Sequence, residues 1–224
     1  MAATLTRLQF ETACKAYIDK HNARTHGDLS LQAVHPDSWT WHEHALAPHL
    51  GYMSRSVLIS VNAEPRSSHE DDEGWLEAPE TVDDVAVFSE SDIVTARQSV
   101  VYSATFQVPA FYFTMHHSNG TPLTLMEIVS SPLLRSSSIL GTETTSFAVS
   151  DPGSNFPLLS QGEHPVLGTP SWYLHPCHTA EAVEEIMLEV ESVGLAEESR
   201  LQRCIEAWFT VLGQMVDLAP GSVP

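Results

Sequence analysis

The 224-residue sequence predicts an α+β fold, in which helices at the two ends of the chain flank an antiparallel meander of strands. Three observations support this prediction: apolar residues recur at helical spacing near both ends, strand-like stretches fill the middle, and turn residues separate those stretches. With 42% hydrophobic and 17% charged residues, the composition suits one globular domain over residues 1–224 that carries a long insertion.

The first predicted element is an amphipathic helix over residues 5–21. Phe10, Cys14 and Ile18 recur there at helical spacing, with charged residues between them. Cys14 lies on this apolar stripe, so we interpret it as a small core residue.

Strands are predicted next, at residues 38–44, at 54–61 and as a pair over 93–117. Residues 107–109, Gln-Val-Pro, break this pair. Pro109 marks a bulge, a bend or an edge, because proline cannot donate to the ladder. Residues 118–121, Ser-Asn-Gly-Thr, supply a tight turn.

Two segments are predicted to be loops. Residues 62–92 form the most acidic stretch, with four consecutive carboxylates at 70–73, and such runs are typical of solvated loops. Residues 121–129 open a short helix, and residues 130–161 are then rich in Ser, Thr, Gly and Pro. We interpret this second stretch as a flexible insertion that thioester chemistry does not need.

Two further amphipathic helices are predicted in the last third of the chain. Thr179 is a candidate N-cap for the first. The apolar stripe of this first helix consists of Val183, Ile186, Met187 and Val190. The second covers residues 201–215 and includes Cys204 on its stripe, which favours a structural role for that cysteine.

Charge and cysteine content exclude several classes of function. The formal net charge of −19 disfavours nucleic acid and anionic membranes as partners, because binding to phosphates needs clustered cations. No apolar run approaches the roughly 20 residues that span a bilayer, and we expect no secretory signal at the N-terminus. Three cysteines do not make a disulfide framework, so we expect a cytoplasmic protein without an integral membrane segment.

Cys177 stands apart from the other two cysteines because it lies off any apolar stripe. It falls in residues 172–179, Trp-Tyr-Leu-His-Pro-Cys-His-Thr, between a strand-like segment and the start of a helix. The positive end of a helix lowers the pKa of a thiol, and a protonated His175 or His178 would lower it further. Glu181 opposes this effect, so the sequence predicts a moderate lowering.

Other chemistries remain alternatives for a cysteine between two histidines. A zinc site needs about four ligands, which the histidine pairs at 42 and 44 or at 116 and 117 would have to supply without any Cys-x-x-Cys motif. A cysteine protease needs a separate base and an orienting Asn or Asp, which nothing in the sequence marks. We predict no metal and no cofactor.

Four segments in this order resemble the autophagy-related protein 10 family of ubiquitin-like-conjugating enzymes. They are residues 102–113 (YSATFQVPAFYF), 118–128 (SNGTPLTLMEI), 163–179 (EHPVLGTPSWYLHPCHT) and the amphipathic helices that follow. The resemblance implies a ubiquitin-conjugating-type fold with Cys177 as the catalytic cysteine. Thioester chemistry needs an ordered site, and His175 is the best candidate for ordering it, through its ring or by fixing the loop backbone; a purely structural histidine in a turn is the alternative. The His-Pro-Asn motif of general ubiquitin-conjugating enzymes is absent.

The partners follow from the same resemblance. Cys177 would receive the C-terminal glycine of autophagy-related protein 12 from the activating enzyme, autophagy-related protein 7, and pass it to a lysine of autophagy-related protein 5. We expect the acceptor to bind along the strand pair that contains Phe106 and Gln107, since exposed edge strands accept partner strands. The family often has Tyr where this chain has Phe106. The expected location is the cytoplasm, with recruitment to sites of autophagosome formation.

Two other functions are compatible with the sequence. The sister enzyme, autophagy-related protein 3, also carries His-Pro-Cys but passes its modifier to a lipid amine. The predicted helix over residues 5–21 contains Glu11 and Asp19 and has a modest apolar face, which favours packing over membrane insertion. The second alternative is a non-catalytic scaffold that binds a ubiquitin-like protein, and the thiol reactivity of Cys177 would distinguish it.

Overall fold

The structure is a computed structural model that describes residues 4–25, 38–44, 46–61, 92–191 and 194–218. The helices are α1 (Arg7–Thr25), α2 (Leu125–Ser130), α3 (Ser136–Ile139), α4 (Cys177–Glu191) and α5 (Glu197–Leu212). The strands are β1 (Thr40–His44), β2 (Ala47–Val61), β3 (Asp92–Ser103), β4 (Val108–His117), β5 (Glu143–Thr144), β6 (Ala148–Ser150), β7 (Leu159–Glu163) and β8 (Pro170–Leu174). The predicted acidic loop lies outside the described residues, except for Asp92, which begins β3.

All eight strands belong to one antiparallel sheet with the order β1-β2-β3-β4-β8-β7-β6-β5. The first four strands follow one another along the chain, and the last four return in reverse order. The two halves join where Tyr112 of β4 faces Tyr173 of β8 and Phe113 faces Trp172. This architecture confirms the predicted α+β fold and is compatible with a ubiquitin-conjugating-type fold.

The core lies between one face of the sheet and the helices. Strand residues alternate between the two faces, so Met53, Val100 and Phe111 are buried together on the helix side. α1 packs on β2 and on α5, and α5 also packs on α4. Because the N-terminal and C-terminal helices share this face, a single hydrophobic cluster links the two ends of the described chain.

The N-terminal helix is confirmed, although it extends further than predicted, to Thr25. Phe10 and Cys14 are fully buried on its inner face, and Tyr17 stacks on Phe209 of α5 with ring centroids 4.4 Å apart. The Tyr102 hydroxyl donates a hydrogen bond of 2.7 Å to the Leu5 carbonyl, which fixes the start of the chain to β3.

The expectation of an edge at the aromatic strand pair is wrong. β4 lies in the interior of the sheet, between β3 and β8, so its backbone is not free to accept a partner strand along the residues paired with β8. The break in the pair includes only the first of the three residues predicted to interrupt it: Gln107 adopts a left-handed φ of 55° in the turn, whereas Pro109 pairs with Tyr102 inside the ladder. The prediction of an edge strand failed because β8, the strand that pairs with β4, lies more than fifty residues further along the chain.

Residues 130–161 contain more regular structure than the predicted insertion. They include Ser130 at the end of α2, together with α3, β5, β6 and the first residues of β7. Four apolar side chains of this stretch belong to the core, namely Leu133, Leu134, Val149 and Leu159. Isolated apolar residues in a Ser-rich and Gly-rich stretch have no periodicity, which is why the sequence did not reveal these short elements. The flexibility of the stretch stays a prediction.

Candidate active site

Strand pairing gathers three distant segments at one end of the sheet. Tyr173 faces Tyr112 near the start of β4, and Leu174 faces Leu159 at the start of β7. Because the neighbouring strands are antiparallel, the chain leaving β8 lies beside the turn that precedes β4 and beside the loop that precedes β7. Residues 175–177, which we call the Cys177 loop, therefore contact residues 104–107 and 156–158.

Hydrogen bonds to backbone carbonyl groups fix the Cys177 loop. The His175 N–H donates to the Leu158 carbonyl at 3.1 Å, which extends the pairing of β8 by one residue. α4 then begins at Cys177, so the predicted N-cap, Thr179, lies inside the first turn instead. Its hydroxyl donates to the Pro176 carbonyl at 3.0 Å. Proline fits just before a helix, because the N–H it lacks would have no helical partner there.

His175 and Cys177 form a direct pair, with 2.6 Å between His175 Nδ1 and Cys177 Sγ. The Cys177 backbone N–H also donates to Nδ1, at 3.3 Å. Nδ1 therefore carries the lone pair and Nε2 the hydrogen in the neutral ring, so the thiol is the donor in this pair. Burial, with a smaller contribution from His178, lowers the pKa of His175, which keeps the ring neutral near pH 7.

The pKa of the Cys177 thiol is raised, contrary to the lowering that the sequence predicted. Burial is the largest cause, and the charge of Glu181 adds to it. The backbone N–H groups of Cys177 and His178 act in the opposite direction but do not outweigh these two effects. The prediction was wrong because it counted the helix N-terminus and a histidine cation, whereas the thiol is partly desolvated and its histidine neighbour is neutral.

The N–H groups of the first turn of α4 already have partners. The His178 N–H donates to the His175 carbonyl at 3.1 Å, and those of Thr179 and Ala180 both donate to the Pro176 carbonyl at 3.2 Å. The start of this helix is therefore a closed turn that fixes the cysteine, and these three donors are not free to bind an oxyanion.

Two aromatic rings contact the imidazole of His175. Phe106, from the turn before β4, meets it edge-on with centroids 5.1 Å apart and planes at 76°. Phe156, from the loop before β7, stacks on it at 4.6 Å and 15°. Phe106 was among the predicted site residues, but Phe156 was not. An aromatic residue within a polar stretch of sequence was the signal that could have identified Phe156.

Gln107, the other predicted acceptor-binding residue, takes a different position. Its side chain is exposed, while its carbonyl accepts a 2.8 Å hydrogen bond from the Leu5 N–H. This bond stabilises the left-handed backbone that ends the turn after Phe106. The structure thus brings Phe106 to His175 and leaves the Gln107 side chain facing solvent.

The two other cysteines lie in the apolar core. Cys14 and Cys204 are buried on α1 and α5, and burial raises the pKa of each thiol, that of Cys204 to about 11. All three cysteines are free thiols. Within the described residues, no group of three or more His, Cys, Asp and Glu side chains is arranged to hold a metal ion. None of the helices in this part of the chain is both long and apolar enough to cross a membrane.

Comparisons with known proteins agree with this geometry. Residues 9–221 match the family model described as autophagocytosis associated protein, active-site domain. The chain is 29% identical to the ubiquitin-like-conjugating enzyme ATG10 of Arabidopsis thaliana over 175 residues, which cover 75% of this chain and 72% of that protein. It is 27% identical to the human ATG10 enzyme over 130 residues, which cover 57% and 51% of the two chains. The ATG10 enzyme of Dictyostelium discoideum is 26% identical over 130 residues, or 56% and 52%.

These matches confirm the prediction of a conjugating enzyme at the level of the family, because the model describes an active-site domain and all three relatives are named conjugating enzymes. The match to the human and Dictyostelium enzymes spans about half of their length. The family model covers nearly all of the described elements, from α1 to the residues after α5. The chain belongs to the autophagocytosis associated protein family that carries this active-site domain.

Proposed function

We propose that this chain carries autophagy-related protein 12 as a thioester on Cys177 and transfers it to a lysine of autophagy-related protein 5. Autophagy-related protein 7 would be the activating enzyme that supplies the modifier. The observation that carries this proposal is the contact of 2.6 Å between the Cys177 thiol and the neutral imidazole of His175, at the end of the sheet where α4 begins. The family match supports the class of reaction.

The first step loads the enzyme. The raised pKa leaves Cys177 mostly protonated near neutral pH, so the attacking sulfur needs a base. His175 Nδ1 accepts the thiol proton while the sulfur attacks the thioester carbonyl on the activating enzyme. A new C–S bond forms at Cys177, the bond to the activating enzyme's cysteine breaks, and the imidazolium returns the proton to that departing sulfur.

The second step releases the modifier to the acceptor. The neutral amine of a lysine attacks the thioester carbon on Cys177, an amide bond forms and the C–S bond breaks. His175 takes a proton from the amine and gives it to the leaving Cys177 sulfur, so no net acid or base is consumed. A thioester is already activated, so alignment of the amine contributes more than strong acid catalysis would.

Lipid conjugation of the autophagy-related protein 3 type is the main alternative. Its expected N-terminal helix senses membranes through exposed apolar residues. In this chain most of the apolar residues of α1, including Phe10, Ala13 and Ile18, are buried against the sheet and α5, whereas Leu8 is 72% exposed. Those side chains are engaged in the core, which favours a protein acceptor. We also propose a cytoplasmic location with recruitment to sites of autophagosome formation.

A charging and discharge assay tests the proposal. The protein is incubated with autophagy-related protein 7, ATP and autophagy-related protein 12, and a reductant-sensitive adduct on a non-reducing gel is the expected result. The charged enzyme is then given either autophagy-related protein 5 or vesicles that contain phosphatidylethanolamine. Discharge to the protein supports the proposal, and discharge to the lipid would identify the alternative enzyme. A failure to charge at all would favour the non-catalytic scaffold.

A further inference from the structure

The orientation of the His175 ring depends on something other than its hydrogen bonds. Within the described residues, the two hydrogen bonds of this ring both join Nδ1 to Cys177, one to Sγ and one to the backbone N–H. Both bonds therefore connect the imidazole to Cys177 and to no other residue. When Cys177 carries an acyl group, the bond to the thiol is lost and only the 3.3 Å bond from the backbone N–H remains, so packing takes a larger share in keeping the ring in place.

Phe156 provides the most extensive packing on that ring. Its ring lies nearly parallel to the imidazole, at 15° and 4.6 Å, while Phe106 meets the imidazole edge-on at 5.1 Å. The flat contact with Phe156 and the edge contact with Phe106 restrict rotation of the imidazole about its Cβ–Cγ bond. A rotated imidazole would collide with one of these two rings.

The backbone around Phe156 is itself fixed. Its N–H donates to Ser154 Oγ at 3.3 Å, and the Ser154 hydroxyl donates to the Phe156 carbonyl at 2.9 Å. Two residues later, the Leu158 N–H donates to the Val149 carbonyl at 2.8 Å, and the Leu158 carbonyl accepts from the His175 N–H. The segment that carries Phe156 is therefore joined to His175 by one backbone hydrogen bond, which is made by Leu158 and not by Phe156 itself.

Phe156 differs from the aromatic residues of the core in how much of it is exposed to solvent. Phe156 remains 49% exposed, whereas Phe10 and Phe111 of the core are 0% and 1% exposed. A phenylalanine that stays half in water contributes little to the hydrophobic core. Its stacking on the histidine beside the reactive thiol is the interaction that distinguishes it.

We propose that Phe156 is a positioning residue for the transfer reaction, which holds the His175 imidazole with Nδ1 directed at the Cys177 sulfur. The consequence for conjugation rests on the proposed function, but the geometric role does not. The same stacking excludes water from one face of the imidazole. Removal of Phe156 should therefore both loosen the ring and move the pKa of His175 back towards its ordinary value, since burial is what lowers it.

Alkylation of Cys177 by iodoacetamide, followed peptide by peptide with mass spectrometry over pH 5–9, tests this role without any modifier or activating enzyme. In the wild type, His175 accepts the thiol proton, so alkylation persists to a pH below the ordinary histidine range before it falls. Phe156→Ala should slow alkylation at pH 7 by about three- to tenfold and shift the acid limb of the profile to higher pH. Phe156→Tyr keeps the flat ring and should restore both the rate and the profile.

Two controls make the outcome decisive. Phe147→Ala removes an exposed phenylalanine of the same stretch and should leave the alkylation profile of Cys177 unchanged. Phe156→Leu keeps apolar bulk without a flat ring, and should behave like Phe156→Ala. The proposal is overturned if Phe156→Ala retains the wild-type profile, if Phe147→Ala causes the same loss, or if Phe156→Leu is as effective as Phe156→Tyr. If alkylation behaves as expected but the wild type never forms the adduct with the modifier, the proposed function fails and the positioning role stands.

Discussion

Cys177 is the first residue of α4, just after β8, and is half-buried, with an imidazole nitrogen 2.6 Å from its sulfur. Cys204 lies in the middle of α5, is 1% exposed and packs in the apolar core. Burial raises the pKa of both thiols. Burial and the direction of the pKa shift therefore do not separate the reactive cysteine from the inert one. The difference is that Cys177 has a neutral proton acceptor in contact and a route to solvent.

The largest effect is expected from removal of the Cys177 sulfur. Cys177→Ser should abolish the reductant-sensitive adduct or replace it with a more stable oxyester, because a hydroxyl is a weaker nucleophile and a poorer leaving group than a thiol. Charging by the activating enzyme, analysed on gels with and without reductant, measures this. Cys204→Ala serves as the matched control and should still form the labile adduct. A reductant-sensitive adduct in Cys177→Ser would contradict the assignment.

The next effect concerns the proton acceptor. His175→Ala should slow charging by about a hundredfold, the usual contribution of a positioned general base. In the wild type, the base form of His175 is lost as pH falls through a pKa that lies below the ordinary value, so the charging rate should hold at pH 6.5 and decline below it. The initial rate of charging between pH 5 and 8 checks both statements. An identical acid limb in His175→Ala would show that another group is responsible.

A stability effect is expected at the core cysteine and not at the reactive one. Cys204→Ser places a hydroxyl where the surroundings are apolar, and should lower the free energy of unfolding by about 1–3 kcal/mol. Urea denaturation measures this loss, while charging per folded molecule should remain close to the wild type. The comparison between the two cysteines would fail if Cys177→Ser destabilised the protein as much as Cys204→Ser does.

The smallest effect comes from a single charge near the reactive thiol. Glu181 raises the pKa of Cys177, so Glu181→Gln should lower that pKa and increase the thiolate fraction at neutral pH. We expect an increase of about twofold in the alkylation rate at pH 7, since the carboxylate is exposed to solvent. Glu185→Gln, further along the same helix, is the control. A slower reaction in Glu181→Gln would contradict the sign.

Much of the fold follows from local patterns. Helical spacing located α1, α4 and α5, and alternation and turn residues located β1 to β4. The position of Cys177 off any apolar stripe, between two histidines, directed attention to Cys177 and His175, and the family resemblance implies the same cysteine. The features that the sequence did not predict depend on contacts between distant segments. The interior position of β4, the short strands after α3 and the contact of Phe156 with His175 all depend on residues that are far apart in sequence.

The sequence by itself determined which cysteine stands off the apolar stripes, because a period of 3.6 residues is visible in any amphipathic helix. Only the tertiary structure decided what surrounds that cysteine. The pairing of β8 with β4 and β7 brings Phe106 and Phe156 to His175, and it desolvates Cys177 enough to raise its pKa instead of lowering it. Strand order and burial arise from packing between segments separated by many residues, and a local pattern carries no record of which distant segment will cover it.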